Sequence, residues 1–184
     1  MQFQPIAIVG QACLLPGANS PEALFEALVA GRDLTSRVPA GRWGLSPHRL
    51  LRPSSDQRGT SDAAWSDRGG YVEGFESIFD PTGFAMDPSE VRSLDPLFQW
   101  VLHTGREALR DAGVQDTSRT GAIFGNLSFP ASGMAQYAER VWLGETRANL
   151  AGIPKTNPKN RFMSGLPAHL LAKALSLGEA SYCL

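Results

Sequence analysis

Cysteine and histidine are scarce in this chain: its 184 residues include two cysteines and three histidines. Cys13 and Cys183 stand near opposite ends, without the close spacing of a zinc knuckle or redox pair, and buried thiols are expected in preference to a disulfide. His48, His103 and His169 are far apart with no carboxylate-rich pattern around them, so no metal site is expected and each is read as structural. No apolar run approaches the roughly 18 residues of a membrane span. Met1 to Gly10 has neither a basic region nor a long apolar core, so no secretory signal is expected and the cytoplasm is the default compartment. Charge of one sign is also missing. With 17 basic and 18 acidic residues the formal net charge is -1, which gives no electrostatic footprint for nucleic acid. Pro5 to Gly10, followed by Pro16-Gly17, has no G-x-G-x-x-G fingerprint and no P-loop lysine, which argues against a nucleotide loop. No Ser, Cys or Thr sits in a strand-turn-helix elbow. Four tryptophans recur at no fixed period and are expected to act as core or edge anchors; Asn126-Leu127-Ser128 is read as a chance match to a glycosylation acceptor.

What is present is an ordinary globular composition, 42% hydrophobic and 19% charged, rich in glycine and proline. A chain of this length can bury about two thirds of its unfolded surface. Ile6-Ala7-Ile8-Val9 before Gly10 reads as a strand buried on both faces. Ser20-Pro21-Glu22 opens a helix over 21–30 closed by Gly31. Residues 32–68 read as a long surface insertion. A short strand is expected over 69–75, and Asp80-Pro81, Asp87-Pro88 and Asp95-Pro96 are successive turn and helix-start signals. Behind Asp95, the residues Leu97, Trp100, Val101, Thr104, Ala108 and Leu109 fall at helical spacing and end at Ala112-Gly113. Thr120 to Gly125 reads as a second buried strand, Ala131 to Trp142 as a helix, Gly144 to Asn160 as a loop and Arg161 to Leu177 as a helix. Ala180 to Leu184 is a strand without cap or turn behind it, which predicts continuation past Leu184. Strands separated by helices predict crossovers and a mainly parallel sheet.

Taken in order, these motifs resemble the N-terminal part of a β-ketoacyl synthase domain of the polyketide synthase or polyunsaturated fatty acid synthase type. The resemblance runs through Ile6 to Gly17, Ser20-Pro21-Glu22-Ala23-Leu24-Phe25, Gly31-Arg32-Asp33, Val38-Pro39, Arg42-Trp43, Arg68-Gly69-Gly70-Tyr71 and Phe79-Asp80-Pro81. It continues in Met86-Asp87-Pro88-Ser89-Glu90, Leu94-Asp95-Pro96 and Glu107 to Gly113, and the spacing of these last three blocks is specific. Leu97-Phe98-Gln99-Trp100 departs from the Gln-rich turn usual in the family, and Glu179-Ala180-Ser181 stands where Gly-Pro-Ser is common.

The resemblance implies an α/β, thiolase-like fold of αβαβα layers, of which residues 1–184 supply the N-terminal half, stopping just before the turn that carries the nucleophilic cysteine. It implies decarboxylative Claisen condensation of acyl and malonyl thioesters by the whole domain, in polyketide or fatty acid biosynthesis. No cofactor is bound directly; the substrates are phosphopantetheine-linked acyl groups on a carrier protein. The partners implied are acyl carrier protein, the remainder of the ketosynthase domain and a second copy paired along the strand at 180–184, with no nucleic acid or membrane. No catalytic residue is assigned within the chain. Cys183 precedes the nucleophile turn and belongs to a strand, not to a helix N-terminus where a thiolate is stabilised. Phe162 and Met163 fall where relatives line the acyl pocket. Beside this stands a different class of function, a non-catalytic ketosynthase-like dimerisation or docking module.

Overall fold

A computed structural model describes residues 5–53, 62–125, 131–161 and 164–184. In chain order the elements are α1 (Pro21–Val29), β1 (Ser36–Arg37), α2 (Pro47–Leu50), β2 (Arg68–Gly69), α3 (Phe75–Ile78), α4 (Pro88–Ser93), α5 (Pro96–Asp111), β3 (Ala122–Phe124), α6 (Ser132–Leu143) and α7 (Glu145–Leu150). A 3-10 turn (Pro158–Asn160), α8 (Leu166–Ala174) and β4 (Ser181–Cys183) complete the chain. It divides into two compact units, one of Met1–Ala12 with Ile78–Leu184 and one of Cys13–Ser77.

In the larger unit two aspartate-proline pairs set helix starts as the sequence predicts, whereas at Asp80-Pro81 no helix begins and Asp80 accepts from the Thr82 amide at 2.9 Å. Asp87 accepts hydrogen bonds from the Ser89 and Glu90 amides, and Asp95 accepts one from the Leu97 amide. In each helix proline takes the first position, where a missing N–H is no loss. α5 ends at Ala112, and Gly113, at φ 67°, turns the chain away. The buried stripe of α5 differs from the expected one: Phe98, Leu102 and His103 are buried, whereas Leu97, Trp100, Val101, Thr104, Ala108 and Leu109 are only half-buried. The stripe continues at Gly105, because a Cβ there would come within 2.5 Å of the Leu171 side chain. A glycine invisible to a hydrophobicity pattern therefore marks where α8 packs on α5.

β3 and β4 pair in parallel, Ala122 opposite Ser181 and Phe124 opposite Cys183, and α6, α7 and α8 form the connection between them. Around α5 and α8 the core gathers Val91, Leu94, Phe98, Leu102, Met134, Leu166, Leu170 and Leu171. The predicted loop over 144–160 instead contains α7, since Gly144, at φ 78°, both closes α6 and opens the next helix. The helix expected over 161–177 is confined to Leu166–Ala174, with Pro167 in its first turn.

The strand expected at 6–9 does not form. Ile6, Ile8 and Val9 are 85%, 85% and 70% exposed, and among the described residues no strand pairs with them. A strand exists only with ladder partners, which an apolar run cannot supply for itself. The segment is fastened at its far end, where the Gln11 amide donates to Asp111 Oδ2 at 2.7 Å.

The unit of Cys13–Ser77 begins with α1, whose cap Ser20 accepts from the Ala23 amide at 3.2 Å. β1 and β2 pair antiparallel, Ser36 opposite Gly69, against the mainly parallel pattern expected. Arg68 closes this pair from outside, donating to Asp33 at 2.7 Å and to the Thr35 hydroxyl at 2.9 Å. The described residues buried in this unit are Ala18, Ala27 and Phe75, a thin core, while Phe25, Leu28 and Val29 of α1 are exposed. None of the tryptophans is buried: Trp43 and Trp100 are half-buried, Trp142 is exposed, and exposed Trp65 lies under the Arg52 guanidinium at 3.8 Å.

Candidate functional site

Among the described residues, the most completely shielded polar residue is at the start of α5. Asp95 is 1% exposed and Asn160, at the end of the 3-10 turn, 4%. Asp95 Oδ1 accepts from the Leu97 amide at 2.9 Å, Oδ2 accepts from the Gly133 amide at 2.9 Å, and the Asp95 amide donates to Asn160 Oδ1 at 2.8 Å. α6 has Ala131 at its cap position and no side-chain cap of its own. One carboxylate therefore serves the N-termini of two helices, where unpaired amides and the helix dipole favour negative charge. A Cβ at Gly133 would stand 2.6 Å from Asp95 Oδ2, so the approach requires glycine. Asn157 caps the 3-10 turn through the Lys159 amide and donates to Ser93 Oγ at 2.7 Å, while Lys159 pairs with Glu90 of α4. The chain leading to residue 161 is thus fixed to α4, α5 and α6 at once.

Phe162 and Met163 lie outside the described residues, as does Asn126-Leu127-Ser128. Toward the C-terminal end of α5, a cleft of about 260 Å³ opens on β3, lined by Gly105, Ala108, Ile123, Phe124, Leu171 and Leu175 among others. Its lining offers no acid or base, so the cleft can cover hydrocarbon but cannot move a proton.

Neither thiol is in a nucleophile's setting. Cys183 lies in β4 opposite Phe124, half-buried, and the next amide, of Leu184, donates to the Phe124 carbonyl at 2.7 Å. Cys13 is half-buried, and burial, then the nearby Glu22 charge, pushes its thiol pKa up and away from the reactive thiolate. Both cysteines are free, as half-buried and not fully buried thiols. His48 and His169 are exposed, on α2 and α8, so only His103 fits the structural reading in the sense of core packing. Its ring meets Phe79 edge-on at a centroid distance of 6.4 Å.

Burial holds the His103 imidazole below its ordinary pKa; Glu107 opposes this shift and Arg106 and Arg110 add to it. Because the folded-state value is depressed, the folded chain favours the neutral ring. The contribution is complete above the unfolded value of about 6.5 and is lost as pH falls through the folded value. The melting temperature is expected to decline below about pH 6.5, and His103→Gln should flatten that decline in the range above carboxylate titration. Identical pH profiles for the two proteins would remove His103 from the account.

The sequence profile described as "Beta-ketoacyl synthase, N-terminal domain" matches residues 3–183. The chain belongs to this family. Mycoketide-CoA synthase of Mycobacterium tuberculosis is 41% identical over 123 residues, which cover 66% of this chain and 3% of that protein. Erythronolide synthase EryA2 of Saccharopolyspora erythraea is 35% identical over a 204-position alignment covering all of this chain and 6% of that protein. Among solved structures, PfaC Keto synthase-Chain length factor superposes with a TM-score of 0.78 at 29% identity, over 97% of this chain and 20% of that one. The oxazolomycin ketosynthase domain OzmH KS7 of a Streptomyces strain gives a TM-score of 0.70 at 23% identity, over 96% of this chain and 28% of that one, a likeness of fold. This β-ketoacyl synthase N-terminal domain has the thiolase-like fold that the resemblance implied. It spans 3% and 6% of the length of these two curated relatives. Among the described residues, no helix is long and apolar enough to cross a membrane.

The aspartate caps were legible in the sequence from their Asp-Pro signature. The roles of Asn160 and Gly133 were not, since both depend on contacts across more than 35 residues. The Pro158 helix start two residues before Asn160 is the one local signal that could have drawn attention to it.

Proposed function

We propose that this chain is the N-terminal part of a ketosynthase that performs decarboxylative Claisen condensation of acyl and malonyl thioesters in polyketide or fatty acid biosynthesis. The observation that carries the reading is the family match along residues 3–183, supported by the superposition on a keto synthase structure at 29% identity. In this reading the chain is scaffold. α5, α8 and the parallel pair β3–β4 form the packed layer, and the nucleophile belongs to the remainder of the ketosynthase domain. A cysteine nucleophile divides carbon-carbon bond formation into acyl transfer and condensation. The substrates are acyl groups on the phosphopantetheine of an acyl carrier protein, the assembly is a homodimer paired along β4, and the compartment is the cytoplasm. Phe162 and Met163 line the acyl pocket.

The 184-residue polypeptide is expected to take up no acyl group from a pantetheine thioester, because one thiol has a raised pKa and the other is held in a strand. Intact-protein and peptide mass spectrometry check this; an acyl adduct on Cys13 or Cys183 would overturn it. The complete protein carrying this sequence should become acylated on a cysteine and then release carbon dioxide from malonyl thioester. Absence of both steps in the complete protein would favour a docking or dimerisation role.

A further inference from the structure

A second cleft, of about 370 Å³, lies at the junction of α6 and α7 and is lined by Tyr137, Arg140, Val141, Glu145, Lys155 and Thr156, with Gly144. Arg140 is fixed in place: its side chain is 11% exposed, and it donates to the Ile153 carbonyl and, at 3.1 Å, to Asn149 Oδ1. One Glu145 oxygen, Oε1, faces both Arg140, at 3.6 Å, and the Lys155 ammonium, at 3.0 Å. The Glu145 side chain is 67% exposed, and ion pairs at that exposure contribute little. Thr156 lines the same cleft, and its hydroxyl is sealed from solvent and has no hydrogen-bond partner. A shielded hydroxyl without a partner is an uncommon and unfavourable arrangement. The cleft therefore combines a preorganised guanidinium, an ammonium and two hydroxyls, and its one charged acceptor is a loosely held carboxylate of its own.

We propose that this cleft binds a compact oxyanion, a carboxylate or a phosphate, which displaces the Glu145 carboxylate from between Arg140 and Lys155, and that this displacement opens the otherwise sealed Thr156 hydroxyl to donate to the anion. Glu145 is the internal stand-in for that ligand. The planar fork of Arg140 suits either anion, and the hydroxyl gives an oxygen outside the fork a donor as well. Nothing in this inference depends on the ketosynthase chemistry.

The test is hydrogen-deuterium exchange on the complete protein that carries this chain, read in peptides spanning 137–156, during separate titrations with inorganic phosphate and with malonate at constant ionic strength. Saturable slowing of exchange in those peptides is expected with at least one of the two anions, and the anion that acts identifies the class. Glu145→Gln, which removes the competing charge, should lower the midpoint about threefold, whereas Lys155→Met should raise it about threefold. Both positions are exposed, so neither change disturbs the core. Exchange unchanged by both anions, the same slowing with sodium chloride, or a midpoint indifferent to Lys155→Met would overturn the proposal.

Discussion

Asp95→Ala is expected to destabilise the folded chain by about 2–3 kcal/mol, from two lost helix caps at roughly 1 kcal/mol each or somewhat more, because the amides left unpaired are partly buried. The amides are those of Leu97 and Gly133, and both look to the same carboxylate. Asp95→Asn keeps one acceptor oxygen but turns an amide group toward the other N–H, so an intermediate loss is expected. Gly133→Ala should reproduce much of the effect from the opposite side, since its methyl would occupy the space of Asp95 Oδ2. Urea denaturation followed by far-ultraviolet ellipticity at micromolar concentration is the measurement. The double variant is the decisive case: if the two positions form one unit, the combined loss is well below the sum of the separate losses. Strict additivity would show that Asp95 and Gly133 act independently.

Phe98→Ala carries the second large effect. Phe98 is 1% exposed within the core cluster, and removal of a buried phenylalanine side chain costs about 3–5 kcal/mol. Phe25→Ala in α1, where the ring is 67% exposed, should change stability by less than about 0.5 kcal/mol. The pair separates burial from composition, because both are phenylalanines within a helix. Equal losses at the two positions would mean that α1 is covered in solution.

The sequence and the structure agree most closely where the physics is local. Ser20, Asp87 and Asp95 are followed by proline, and each caps the helix that the pattern predicts. β3 and β4 were both legible as apolar runs, and their parallel pairing followed from the helices between them. Apart from α7, which opens locally at Gly144, the main misses depend on a partner distant in sequence. Ile6, Ile8 and Val9 have the composition of a central strand, but pairing decides whether a strand exists. The core stripe of α5 could not be read because apolar residues occur on more than one face of that helix; contact between Gly105 and α8 selects the face containing Phe98 and Leu102. The second task of Asp95 was hidden for the same reason, since α6 begins at a residue that offers no cap. Phe162 and Met163 rest on the family resemblance alone.

The parallel pairing of β3 with β4 also has a consequence in time. Ala122 meets Ser181 across 59 residues of chain, the whole of α6, α7 and α8. Pairing over such a separation requires closure of a long loop before any ladder bond forms, which slows folding. During synthesis at roughly 5–20 residues per second, β3 leaves the ribosome about 3–12 seconds before β4 does. Through that interval the edge of β3 that β4 will cover, and the core face of α8 once it emerges, lack their final neighbours. The nascent chain therefore presents this apolar surface to solvent until β4 arrives.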